Sequence, residues 1–243
     1  LQDVSFTIEA GQTAAIVGPT GSGKSTIVAL LTRRYDPTSG EVLLDGVPLN
    51  RIAPEQLRAA IGIVPQDAFV FSETIAENIA LGLPVVAISD PAGKQIEHVA
   101  RIARLDETVA EFPQGYNTRL GERGVNLSGG QRQRTTLARA LARDPRVLVL
   151  DDALSAVDTH TETEILEALQ RVFAQRTAII VSHRVTAVMN SDVIFVTDSG
   201  KIVEQGTHRD LLTKRGLYAS LLKRQLLEEG LDDAAVARKA ANL

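Results

Sequence analysis

The sequence predicts an α/β fold built on a mostly parallel sheet, and three observations carry that expectation. Apolar runs at residues 14–17, 147–150, 178–181 and 193–196 are bounded by turn residues and are too short for helices, the pattern of strands buried on both faces. Helical patterns lie between them, as parallel crossovers require. With 243 residues, 44% of them hydrophobic, the chain can bury a substantial core and is expected to form one compact unit.

Taken in order, residues 4–8 alternate in the manner of a strand, Gly11 turns the chain, and residues 14–17 run into a glycine-rich loop. A helix is expected from Lys24. Residues 41–44, the Asp45-Gly46 turn and residues 47–49 predict a hairpin, placing an amino-terminal antiparallel β subdomain beside the parallel sheet. Residues 67–143 show helical periodicity at 96–102 and 132–142 with few strand signals, which predicts an α-helical subdomain inserted into the core. After a turn at Asp198-Ser199-Gly200, a closing helix carries Leu217, Leu221, Leu222 and Leu226 as an apolar stripe. Residues 228–243 turn to alanine and charge and are expected to form a weakly ordered tail, leaving 1–227 as the domain.

Composition excludes several classes of function. The net charge of -4 argues against nucleic acid as the main partner. No cysteine is present, so disulfides and thiolate metal sites are excluded. No apolar run approaches the roughly 18 to 20 residues that cross a bilayer. The chain begins at Leu1 and its one methionine is Met189, so a piece of a longer polypeptide is expected.

Gly18, Pro19, Thr20, Gly21, Ser22, Gly23, Lys24, Ser25 and Thr26 fit the phosphate-binding loop pattern and sit between a predicted strand and a predicted helix, as that pattern requires. The glycines let backbone N–H groups turn toward phosphate oxygens, Lys24 supplies charge for the β and γ phosphates, and the Ser25 hydroxyl suits magnesium. The pattern predicts a phosphate-loop nucleoside triphosphatase core. Residues 147–150 then deliver Asp151 at the carboxyl end of a buried strand, where ligands bind in such sheets. By itself this strand-plus-Asp pattern is equally compatible with a structural carboxylate; the phosphate loop upstream links it to magnesium. Ser128, Gly129, Gly130 and Gln131 precede a predicted helix and combine a hydroxyl, bare glycine amides and a helix amino terminus. Locally they read either as a helix cap or as a second anion site.

Together with the phosphate loop, the pentapeptide Leu127-Ser128-Gly129-Gly130-Gln131 resembles the signature of the ATP-binding cassette (ABC) family, and the resemblance runs over the chain to about Gln225. It implies ATP and Mg2+ as ligands, with Ser25, Gln66 and Asp151 at the metal. Gln66 matches the family's glutamine loop, Asp158 the loop that crosses the dimer interface, and His183 the histidine that meets the γ phosphate. No adenine-stacking residue is assigned, and Tyr35 is not its match. The resemblance further implies a partner: each ATP is held between the phosphate loop of one domain and the signature of a second nucleotide-binding domain.

Residues 71–79, Gly121-Glu122-Arg123-Gly124 and Gly216-Leu217-Tyr218-Ala219 resemble the exporter branch. That implies a transmembrane domain upstream on the same native chain and a place at the cytoplasmic face of a membrane, the bacterial inner membrane being expected. One position departs from the family. Where a catalytic glutamate follows the magnesium aspartate, this chain has Asp152, one methylene shorter. A carboxylate pulled back by roughly 1 to 1.5 Å implies slow hydrolysis, since misplacements near 1 Å cost about a hundredfold in rate. Two assemblies stay open: a heterodimer whose partner supplies the glutamate, and a homodimer that tolerates aspartate. The alternative function is a soluble ABC ATPase acting on nucleic acid or the ribosome, against which stand the charge and the lack of sustained heptads between Lys24 and Leu127.

Overall fold

The computed structural model describes residues 1–83 and 91–228. In chain order these form β1 (Thr13–Val17), α1 (Lys24–Leu31), β2 (Leu43–Leu44), β3 (Val47–Pro48), α2 (Pro54–Ala60), β4 (Ile61–Val64), α3 (Ile75–Ala80), α4 (Pro91–Ile102), α5 (Asp106–Glu111) and α6 (Gly129–Ala142). There follow β5 (Val147–Asp151), α7 (Thr159–Phe173), β6 (Thr177–Ser182), β7 (Val193–Asp198), β8 (Lys201–Gly206), α8 (His208–Lys214) and α9 (Leu217–Glu228). The chain divides into two compact units, Leu1–Val42 with the segment from Thr177 onward, and Leu43–Arg176.

In the first unit, β1 lies between β6 and β7 and is parallel to both, with Ala14 opposite Ile179 on one side and Val193 on the other. Residues 14–17 are 0% exposed, so their unbroken apolar run reflects cover on every side rather than an alternating pattern. β8 pairs antiparallel with β7 and alternates in exposure along its length. The turn joining them sets Ser199 at φ 48 and Gly200 at φ 78, the paired left-handed geometry of a tight hairpin.

Residues 4–8, expected to be a strand, form none. Their alternation is present as half-buried Val4, Phe6 and Ile8 against exposed Ser5 and Thr7, and the Phe6 ring packs on Phe195 at 4.6 Å. What they lack is a ladder partner among the described residues, and a side-chain pattern alone does not make a strand. The stripe of α9 also differs from expectation by one position. Tyr218, Leu222 and Leu226, spaced four residues apart, are its buried face, while Leu217 and Leu221 are half-buried. Glu204 anchors the helix by accepting from the Leu217 and Tyr218 amides, and the Tyr218 hydroxyl lies 2.6 Å from His208 Nδ1. Of the tail expected over 228–243, Glu228 closes α9 and the rest lies outside the described residues.

In the second unit, β4 and β5 pair in parallel. The hairpin is shorter than expected: β2 and β3 have two residues each, and Leu49 enters a 3-10 turn, because Pro48 has no N–H with which to extend the ladder. Its turn has Asp45 at φ 50 and Gly46 at φ 75. Helices α3 to α6 follow β4 in this unit, and α6 packs against α3, α4 and β4. Asn78, 0% exposed, both accepts from the Phe71 amide and donates to the Phe71 carbonyl. Arg139 of α6 donates to the Asn78 carbonyl and Oδ1 and to the Phe69 carbonyl, tying residues 69–78 to the helix. Asn78 survives buried in this helical layer because its amide is matched to such partners.

Burial holds the His208 imidazole below the ordinary histidine range. Above about pH 6.5 the ring is neutral in folded and unfolded chains alike and its contribution to stability is complete. As pH falls below that value the unfolded chain takes the proton first, so stability is lost toward the lower folded value. The melting temperature of the wild type should therefore fall more steeply between pH 7 and pH 5 than that of His208→Gln; equal slopes would contradict this.

Candidate functional site

The phosphate-loop segment is held from below by a hydroxyl relay. Thr197 Oγ1 donates to the Val17 carbonyl at 3.1 Å, so the buried Ser22 hydroxyl, 2.8 Å away, donates to Thr197. The Gly200 amide donates to the Ser22 carbonyl at 3.0 Å. Gly18 is required by close approach: a Cβ there would lie 2.1 Å from the Thr197 carbonyl oxygen. Gly21 (φ 81) and Gly23 (φ 106) are required by conformation.

Gly23 is also the N-cap of α1, with no side-chain cap and no acidic residue in the first turn. That amino terminus presents amides and a positive dipole end, with exposed Ser25 and Thr26 on its first turn. Lys24, 8% exposed, bends back so that Nζ donates to the Gly18 and Pro19 carbonyls at 2.8 and 3.0 Å. Both acceptors are neutral dipoles, and they hold a point charge over the loop. Pro19 and Thr20 complete the turn, half-buried and exposed respectively. His183 belongs to the same unit. Val17 and Ser182 are register partners, so Gly18 and His183 leave neighbouring parallel strands at one level. His183 is exposed, and the loop behind it is fixed: the Val185 amide donates to Gln225 Oε1 at 2.9 Å and Gln225 Nε2 donates to Thr186 Oγ1 at 2.6 Å.

The remaining expected residues belong to the second unit. Val64 pairs with Leu150, so Asp151 at the end of β5 and Gln66 two residues past β4 come to the same edge. Asp152 follows in the left-handed region at φ 44, a conformation that aspartate tolerates better than most residues. Ser128 and Gln131 form a reciprocal capping box on α6: the Gln131 amide donates to Ser128 Oγ at 3.2 Å and the Ser128 amide to Gln131 Oε1 at 2.8 Å. Gly129 and Gly130 are demanded by space, since a Cβ would meet Ala156 Cβ at 3.2 Å or the Ala156 carbonyl oxygen at 2.9 Å. Asp158 caps α7, accepting from the Thr161 amide at 3.0 Å, and that bond holds its carboxyl below the usual carboxylate range.

Gln133 was not foreseen, yet it is 3% exposed on α6 and bonds to both neighbouring loops. The readable signal is a polar residue in the otherwise apolar stripe Gln133, Leu137, Leu141. Gln225 likewise interrupts the apolar face of α9. Among the described residues no group of three or more His, Cys, Asp or Glu could hold a metal. Ser25 in the first unit offers a hydroxyl and Asp151 in the second a carboxylate, each an oxygen donor of the hard kind that magnesium takes.

A buried strand running through a glycine loop and a lysine into an uncapped helix defines a domain that binds nucleoside triphosphate by its phosphates. Comparison with known proteins narrows this. The family model described as ABC transporter matches residues 1–155. The chain is 45% identical over 229 residues to the ATM1-type heavy metal exporter of Novosphingobium aromaticivorans, covering 94% of this chain and 37% of that protein. It is 43% identical over 241 residues to the multidrug resistance-like ATP-binding protein MdlA of Escherichia coli, covering 99% and 40%. A solved bacterial Atm1-family ABC exporter with ATP bound superposes with a TM-score of 0.87 at 45% identity, over 92% of this chain and 38% of that one. This chain belongs to the ABC transporter family. It spans less than half the length of the relatives it matches.

Thr197→Val would leave the buried Ser22 hydroxyl and the Val17 carbonyl each without its partner. Unfolding in urea should show a loss of about 1–3 kcal/mol, partly recovered when Ser22→Ala is added; a neutral single variant would contradict the relay.

Proposed function

We propose that this domain powers export across a membrane by closing around ATP with a second nucleotide-binding domain and reopening after hydrolysis. The observation that carries the reading is a pair of anion-ready helix termini in one chain: α1 behind the phosphate loop, in one compact unit, and α6 behind the signature, in the other. In the proposed assembly each ATP meets the first kind from one domain and the second from its partner. Closure then follows from differential affinity, because nucleotide binds the closed pair better than either domain alone.

Lys24 and the α1 amides hold the β and γ phosphates, and the partner's signature completes the γ-phosphate site. Ser25, Asp151 and Gln66 would hold magnesium, which when bound neutralises developing charge on the phosphoryl oxygens. Water attacks the γ phosphorus, its proton passes to the Asp152 carboxylate, ADP leaves, and His183 donates to the γ-phosphate oxygens. Gln66 also orients the water. The short reach of Asp152 makes this site slow. We assign the chain to a heterodimer whose partner supplies glutamate, joined to a transmembrane domain and facing the cytoplasm at the bacterial inner membrane. A 45% identical relative is named a heavy metal exporter and the matching solved structure an ABC exporter, which supports the pairing with a transmembrane domain.

Magnesium ATP at a hundred times its dissociation constant should stabilise the domain by about 2.7 kcal/mol, and Lys24→Ala should remove most of that shift. An unmoved wild-type melting temperature at millimolar nucleotide counts against the site, and stimulation of turnover by DNA or RNA would count against the transport reading.

Two variants separate the two sites of the assembled protein. Ser128→Arg blocks the signature offered to the partner's fast site and should nearly abolish steady-state ATP hydrolysis, whereas Asp152→Ala should leave most of it. Asp152→Glu restores reach, at a backbone cost of order 1 kcal/mol from the left-handed conformation. Equal damage from Ser128→Arg and Asp152→Ala would refute the slow-site assignment, and full activity of this chain as a homodimer would refute the heterodimer.

A further inference from the structure

Gln133 lies on the signature helix one turn beyond Gly130 and is 3% exposed. Its amide is used on both sides. Oε1 accepts from the Ala156 backbone amide at 2.9 Å, while Nε2 donates to Ser155 Oγ at 3.1 Å and to the Gln66 backbone carbonyl at 3.5 Å. One side chain on α6 therefore meets the loop of Gln66 and the loop of residues 155–158. Gly129 and Gly130 let that second loop approach closely: a Cβ on Gly130 would lie 2.9 Å from the Ala156 carbonyl oxygen, and one on Gly129 3.2 Å from Ala156 Cβ.

We propose that Gln133 is a positioning residue for ATP hydrolysis, fixing the Gln66 loop and the 155–158 loop to the signature helix so that all three respond as one body when nucleotide engages the signature. A neutral amide of this length meets both partners at once. The Ala156 amide requires an acceptor and the Gln66 carbonyl requires a donor, and glutamine supplies both from one planar group. Glutamate keeps the acceptor and can accept a hydrogen bond from the Ser155 hydroxyl, but it turns a carboxylate oxygen toward the Gln66 carbonyl. Leucine fills the volume and leaves the Ala156 amide without this acceptor. The Gln133 amide is engaged by loop groups on both sides, so its effect is expected on the chemical step and on coupling rather than on binding at the phosphate loop.

The inference rests on the ATPase reading, and the experiment separates the two. Steady-state hydrolysis by the assembled protein is measured for wild type, Gln133→Leu, Gln133→Glu, Ser155→Ala and Gln133→Leu with Ser155→Ala, alongside the melting temperature of each. Gln133→Leu should lower kcat by about 10- to 100-fold with KM for ATP changed by less than about threefold, as a misplacement near 1 Å would. Gln133→Glu should recover part of the loss, and Ser155→Ala should add little once Gln133 is leucine. A wild type without turnover overturns the ATPase reading itself. An active wild type with Gln133→Leu destabilised but unchanged in kcat overturns only the positioning role. Should Gln133→Leu fail to fold, Gln133→Glu and Ser155→Ala decide: kcat lowered at constant KM in either supports the role, and wild-type kcat in both overturns it.

Discussion

Strand β1 has neither a free face nor a free edge. It is flanked on both sides by parallel neighbours, and residues 14–17 are fully buried, so the chain leaving Val17 has one way out: over the carboxyl end of the sheet, where such folds bind their ligands. Everything distinctive about the loop follows from that exit. Gly18 passes too close to Thr197 for any side chain. Ser22 fastens the loop to the Thr197 hydroxyl and to the β7–β8 turn, and Lys24 folds back across the loop's own carbonyls. A rigid strand pair thus gives a flexible-looking glycine sequence a single conformation.

In the second unit, the groups that resemble nucleotide ligands have structural partners of their own. Ser128 caps α6 and Asp158 caps α7. Such caps contribute about 1 kcal/mol each, less than the charge-assisted bonds that a phosphate offers the same hydroxyl and amides. A capping serine and an anion-binding serine are therefore compatible states of one residue. The cap keeps the helix terminus ordered, with its amides already aligned. The signature glycines serve two ends in the same way, exposing amides and admitting Ala156, whose carbonyl oxygen would lie 2.9 Å from a Cβ on Gly130.

Two glutamines take corresponding positions in the two units. Gln133 secures the loops beside the signature, and Gln225 secures the loop that follows His183. Each uses both ends of its amide, and each emerges from the buried face of a helix whose other buried positions are mainly apolar. A polar side chain persists in such a stripe where its donors and acceptors are matched.

The sequence by itself determined the strand and helix spacing, the phosphate loop and the signature, because these depend on local rules: apolar runs, left-handed turns, a lysine at a fixed offset. The Asp45-Gly46 and Ser199-Gly200 turns were legible for the same reason, both needing two residues at positive φ. Whether an alternating segment becomes a strand depends on a partner supplied from elsewhere in the chain, and residues 4–8 show the alternation without the ladder. In α9, Leu222 and Leu226 are buried as expected, while Tyr218 rather than Leu217 or Leu221 completes the face, because its neighbours His208 and Glu204 set the register rather than leucine count. Thr197 beneath the phosphate loop, Gln133 between two loops and Gln225 behind His183 were decided by tertiary structure alone. Their partners lie 175, 22 and 40 residues away in sequence, and a hydrogen bond of that span leaves no periodicity for the sequence to display.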